Sequence, residues 1–213
     1  MQKVFYLGAN GLAAFQDLAT GALFAVLLGR LEGVPLEWWY VAGGAFLMVL
    51  PDFDLIYPLL RRVLTGRHID SDHHESVFHW PLFMLPVVTV TAWTLGGSYW
   101  GLLAFFCLFF HYIHDGSNRQ PEDRILWFFR IRPRYWSARD QTDPAKKLNH
   151  DQWIQYKWLQ PSDLSIREVT IGSIACGLAT VLLTTQILPA LLIMFIAWAG
   201  VITFWKTYKE YYS

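Results

Sequence analysis

The sequence predicts an all-α fold, a multi-pass transmembrane helical bundle of five to six spans. Hydrophobic residues make up 54% of the chain and charged residues 16%, a more apolar balance than globular domains carry. The apolar residues gather into long runs, most of them near the ~20 residues that a spanning helix needs. The basic residues segregate as well. With a cytoplasmic N-terminus, Arg30 is left alone among the 17 lysines and arginines on the outer side, as the positive-inside rule expects.

The runs follow one another along the chain. The first, roughly 11–29, comes after Lys3 and is followed by no clear small-residue cleavage site, so it reads as an uncleaved helix rather than a signal peptide. The second, roughly 38–60, contains Pro51, Asp52 and Asp54, and Pro51 disfavours helix at Leu50. The third and fourth, roughly 78–97 and 98–115, adjoin each other. A polar stretch at about 116–166 lowers the mean hydropathy to +0.27 and reads as a cytoplasmic loop within a single membrane domain, residues 1–213. The last two runs, roughly 168–186 and 188–205, meet near Leu188 and Pro189, and counting them as one or two gives five or six spans. Cys107 and Cys176 lie inside runs and read as reduced packing residues. The chain carries no RNP motif or zinc finger, and no nucleic-acid partner is expected.

All seven histidines (His68, His73, His74, His79, His111, His114 and His150) fall in or beside three short polar segments. In the topology above, Pro51 to Asp54 lie toward the inner end of the second span. His74 and His79 lie at the inner start of the third, and His111 to Asp115 at the inner end of the fourth. Three distant motifs thus converge on one membrane face, where ionisable residues are costly unless they serve a function. His111, His114 and Asp115 occupy positions i, i+3 and i+4, one side of a helix. His74 and His79 are about 140° apart on a regular helix, so the third helix is expected to begin near Glu75 or Ser76. Asp52 and Asp54 share a side only in an extended segment, which a break at Pro51 would allow. Asp17, inside the first span, needs a partner at that depth.

A mixed His/Asp set suits one or two divalent cations, zinc, manganese or magnesium, used as Lewis acids. The expected ligands are Asp52, Asp54, His74, His79, His111 and Asp115, with His73, His114 and His150 in reserve. Glu75 and Asp17 are the candidate catalytic groups, as general base or as neighbours of the ligands. The loop segment from Trp127 to Trp136 interleaves Arg130, Arg132 and Arg134 with aromatic side chains. That composition suits headgroup anchoring, and its arginines suit contact with a substrate phosphate. An amphiphilic phosphoester at the cytoplasmic face fits both. The absence of a Gly-rich phosphate loop and of a Gly-x-Ser-x-Gly elbow argues against nucleotide-driven transport and serine hydrolysis.

These motifs resemble those of the membrane-bound metal-dependent hydrolases of the YdjM type. That family carries Leu-Pro-Asp-x-Asp, then a His-Arg-Gly-x-x-His segment opening a helix, then His-x-x-x-Asp closing the next. Here the same order is met by Leu50-Pro51-Asp52-Phe53-Asp54, by His74 to His79, and by His111 to Asp115. The resemblance covers roughly residues 40–120, with Glu75 where the family usually has arginine. The family's histidine near the first helix is missing, and Asp17 is the candidate substitute. Membership implies a multi-pass protein of the inner (plasma) membrane with hydrolase activity, and leaves the substrate open. The charge topology is what puts both termini and the metal site on the cytoplasmic side, among membrane lipids, where a lipid-like substrate is expected. Two other readings compete. A non-catalytic metal-binding or transport protein predicts ligands on both sides of the bilayer, whereas these share one side. A di-iron oxygenase would use histidine boxes such as His68 to His73 and His74 to His79, but the His-x-x-His-His box is absent.

Overall fold

The computed structural model describes residues 15–35, 37–55, 64–65, 77–117 and 163–183. Its regular elements are α1 (Phe15–Leu31), α2 (Trp38–Val49), the 3-10 helices η1 (Leu50–Leu55) and η2 (Val77–His79), α3 (Pro81–Ser117) and α4 (Asp163–Leu182). No strand occurs among the described residues, in keeping with the all-α expectation. The chain divides into two compact units, one formed by Met1–Ala45 with Thr142–Ser213 and the other by Phe46–Gln141.

In the first unit, Phe15, Ala19, Ala22 and Val26 recur at alternating spacings of four and three, a single stripe along α1. That stripe packs with Ala175, Cys176, Ala179 and Leu183 at the end of α4, and with Val41 of α2. Small side chains let the backbones approach. A Cβ added at Gly44 would collide with the Gly21 carbonyl oxygen and lie 2.8 Å from the Ala25 Cβ. Helices α1 and α4 run in the same direction. Phe15, at the start of α1, packs on Gly172, where an added Cβ would sit 2.6 Å from Cε1, and Arg30, near its end, donates to the Leu182 carbonyl. That carbonyl lies in the last turn of α4, where helix carbonyls lack intrahelical partners and a cation meets the negative end of the dipole. Gln16, Asp17 and Glu168 are buried in this unit.

In the second unit, α2 stops at Val49 because Leu50 precedes a proline, and the chain tightens into η1. Pro81 opens α3; its missing N–H costs nothing in a first turn. The α-helix therefore begins at Pro81, not near Glu75 or Ser76 as the histidine spacing predicts, and His79 sits in the 3-10 turn ahead of it.

Helix α3 folds back on itself. Gly97 has φ 82 and ψ −171, a conformation open essentially to glycine alone, and it separates an arm from Pro81 to Gly96 from one running Ser98 to Ser117. Residues 79 and 111 of a straight helix would lie about 48 Å apart. The rings of His79 and His111 are 6.0 Å apart. The arms pack through Met84, Leu108 and Tyr112, with Leu85, Val88, Phe78 and Leu50 around them. At the tip a Cβ on Gly101 would lie 2.5 Å from Cε3 of Trp93. The reversal falls at the boundary between the third and fourth apolar runs.

Among the described residues, one helix, Pro81–Asp115, is long and apolar enough to cross a membrane. Folded at Gly97, its arms are about 24 Å and about 27 Å long. Leu82, Phe83, Val87, Val90, Trp93 and Leu95 all face outward on the first arm. A contiguous apolar face of that extent is unfavourable in water and ordinary in lipid.

Candidate metal centre

Asp52, Asp54, His79, His111 and Asp115 gather in the second unit, at the open end of the α3 hairpin. A 3-10 helix turns about 120° per residue, so Asp52 and Asp54 on η1 point about 120° apart, not to one side as an extended segment would have them. That divergence sends them to opposite edges of one imidazole. Asp52 Oδ1 lies 3.5 Å from His79 Nε2, while Asp54 Oδ2 lies 3.4 Å from His79 Nδ1. On the second arm of α3, His111 and Asp115 are one turn apart, and Asp115 Oδ2 lies 3.3 Å from His111 Nε2. The same carboxylate oxygen is 3.7 Å from His79 Nε2, and His111 Nε2 is 3.8 Å from Asp52 Oδ1.

Four atoms thus face one another: His79 Nε2, His111 Nε2, Asp52 Oδ1 and Asp115 Oδ2. A tetrahedral ion with ligands at about 2.0–2.2 Å has ligand–ligand edges of about 3.3–3.6 Å. The four nitrogen–oxygen edges of this set, of the six a tetrahedron has, span 3.3–3.8 Å. Asp52, His79 and His111 each offer one ligand atom, and these lie within 4.8 Å of one another. Two imidazole nitrogens with two carboxylate oxygens are a donor set suited to zinc and its neighbours. Charge points the same way, because three carboxylates crowd two imidazoles and a divalent cation offsets the excess.

Burial is uneven. The side chains of His79 and His111 are 0% and 1% exposed, Asp54 and Asp115 13% and 14%, and Asp52 28%, so the cluster opens on the Asp52 side. Burial of His79 disfavours its imidazolium, but carboxylates on both ring nitrogens and the charge of Asp115 favour it more strongly. In the metal-free protein the balance lifts its pKa from 6.5 to about 9.

Two side chains not singled out by the motifs matter to the packing. The Tyr112 hydroxyl donates to the Phe78 carbonyl at 2.7 Å, pinning η2 beside His79 to the second arm of α3. A tyrosine inside an apolar run, whose hydroxyl needs a partner once buried, was the available signal. Glu168 is fully buried on α4, and its position in an apolar run was the corresponding sign.

Of the other expected site residues, His114 is half-buried on α3 and Asp17 is buried on α1 in the first unit. His74, Glu75, His73, His150, Arg130, Arg132 and Arg134 lie outside the described residues. No family model matches the chain, and no curated protein or solved structure does either.

Proposed function

We propose that the chain is a membrane-embedded, metal-dependent hydrolase that cleaves a phosphoester or other ester of a lipid-like substrate at the cytoplasmic face. The observation that carries this reading is the convergence of His79, His111, Asp52 and Asp115 at separations of 3.3–3.8 Å. A divalent ion in such a cluster supplies Lewis acidity toward an ester or phosphoryl oxygen and lowers the pKa of water. His79 and His111 supply neutral nitrogen donors from a buried wall. Asp52, the most exposed of the five residues, borders the side from which a substrate approaches, and an open side distinguishes catalytic from purely structural metal sites. Glu75 is the candidate general base, and Arg130, Arg132 and Arg134 the candidate phosphate contacts.

The direction of the helices supports a multi-pass arrangement of five to six spans. Helices α1 and α4 coincide with the first and fifth apolar runs and run in the same direction, as two odd-numbered spans must. The arms of α3 coincide with the third and fourth runs and are antiparallel, as consecutive spans must be. The order of the three motifs, similar to that of the YdjM-type hydrolases, supports the same reading, with the site and both termini cytoplasmic.

The test is metal content followed by turnover. Purified full-length protein should contain stoichiometric zinc or manganese and, loaded with zinc, manganese or magnesium, should hydrolyse at least one member of a panel of phosphoester and carboxylic ester lipids. Asp52→Ala and His111→Ala should lose both properties. Metal binding without turnover of any ester would remove the hydrolase and leave a metal-binding protein.

A further inference from the structure

We propose that Asp54 is not a ligand but the carboxylate that orients His79, and that the cluster holds a single ion on the Nε2 side of that ring. The proposal rests on reading the cluster as a metal centre. It does not depend on the reaction.

The geometry of one imidazole carries the inference. Its two nitrogen lone pairs or N–H bonds diverge in the ring plane, so a single ion cannot lie on both. Asp52 Oδ1 and Asp115 Oδ2 approach Nε2 at 3.5 and 3.7 Å, and His111 Nε2 closes the same side through its contacts with those carboxylates. Asp54 Oδ2 stands 3.4 Å from Nδ1, across the ring. With the proton on Nδ1, beside the Asp54 carboxylate, the ring holds the tautomer whose Nε2 lone pair is on the side of the other three donors. Metal-bound histidines commonly have this arrangement, which sets ring orientation and raises the basicity of the ligating nitrogen.

A second ion beside Nδ1 would find little to hold it. Among the described residues the one group of His, Cys, Asp and Glu with ligand-like spacing is Asp52, His79 and His111; Asp54 and Asp115 both stand outside it, and it is the nitrogen each faces, Nδ1 for Asp54 and Nε2 for Asp115, that separates their roles. An ion at Nδ1 would also require His79 to bridge two metals as an imidazolate. The origin of the divergence is local, since two residues along a 3-10 helix cannot share a direction. The Leu-Pro-Asp-Phe-Asp segment therefore supplies one carboxylate to the ion and one to its ligand.

Zinc titration of the purified full-length protein, with X-ray absorption at the zinc edge, tests the assignment on the parent and on Asp54→Leu, Asp54→Asn and Asp52→Ala. The parent should bind one zinc. Asp54→Leu should still bind one, with the same count of nitrogen and oxygen ligands but an affinity about 10–100-fold lower. Asp54→Asn, which keeps an acceptor for Nδ1–H, should lose less, whereas Asp52→Ala should lose a ligand or the metal. Two zincs per parent chain would overturn the proposal. So would a missing ligand in both Asp54 variants, or affinities equal to the parent's. If Asp54→Leu does not fold, the ligand count in Asp54→Asn decides. A parent that binds no zinc at all is a different result and removes the metal centre itself.

Discussion

Zinc uptake should release a proton from His79, with a dependence on pH that follows from its surroundings. In the metal-free protein its pKa is raised to about 9, because the carboxylates on its two nitrogens and the charge of Asp115 outweigh the effect of burial. An ion on Nε2 must displace that nitrogen's proton. Well below about 9, apparent affinity then rises about tenfold per unit of pH for this proton, or about 25-fold between about pH 7 and about pH 8.5, and the rise levels off above the pKa. The stability of the metal-free protein changes in the opposite sense. A folded-state pKa above the unfolded 6.5 contributes stability that is fully present below about 6.5 and is lost as pH rises through about 9. Raising pH should therefore strengthen zinc binding while lowering the melting temperature of chelator-treated protein. Competition with a chromophoric chelator in non-coordinating buffer gives the affinity, and a pH-indicator dye gives the proton release. A flat affinity across that interval, with no proton released, would refute a protonated His79 as the group the ion displaces.

Three further outcomes follow from packing and backbone geometry. Gly97→Ala should destabilise the protein by about 1–3 kcal/mol, because the reversal in α3 holds a backbone conformation that alanine avoids; a melting temperature equal to the parent's would contradict the hairpin. Tyr112→Phe should cost about 0.5–1.5 kcal/mol by removing the hydrogen bond to the Phe78 carbonyl, and should weaken zinc binding less than Asp54→Leu does. Gly44→Val should destabilise the first unit, since its Cβ would collide with the backbone of α1 at Gly21; thermal unfolding of this variant should show the largest loss of the three.

Much of the architecture was legible because it depends on composition and periodicity. Among the described residues the first, third, fourth and fifth apolar runs and the start of the second coincide with helices, and the adjoining third and fourth runs anticipated the turn at Gly97; the sixth run lies outside the described residues. The gathering of Asp52, Asp54, His79, His111 and Asp115 was legible for a related reason. A hairpin brings the start of one run beside the end of the next, whatever the details of its packing. The start of α3 was less accessible. The five-residue spacing of His74 and His79 suggested a helix from Glu75 or Ser76, yet Pro81 sets the first turn and leaves His79 in a 3-10 segment. Histidine spacing gave only a requirement on direction, while proline acted on the backbone itself.

The roles of the paired aspartates depend on a backbone state that their spacing does not specify. Residues i and i+2 are about 200° apart on an α-helix, about 240° apart on a 3-10 helix, and on the same side of a strand. An extended Asp52–Asp54 segment would have aimed both carboxylates at one point, which is a bidentate contribution to one ion or a bridge between two. The 3-10 turn of η1 places them instead on opposite edges of His79. Pro51 is what favours the tighter turn: it lacks the N–H that would continue the α-helical bonding and disfavours an α conformation at Leu50, and its fixed φ suits a turn that continues into Asp52. Substituting Pro51 with alanine would allow α2 to continue as regular helix and would swing Asp52 away from Nε2. Pro51→Ala should therefore lower zinc affinity although residue 51 offers no ligand atom. Unchanged affinity would mean that η1 keeps its shape without the proline, and that the ring of Phe53 packed 5.0 Å from Phe46 holds it instead.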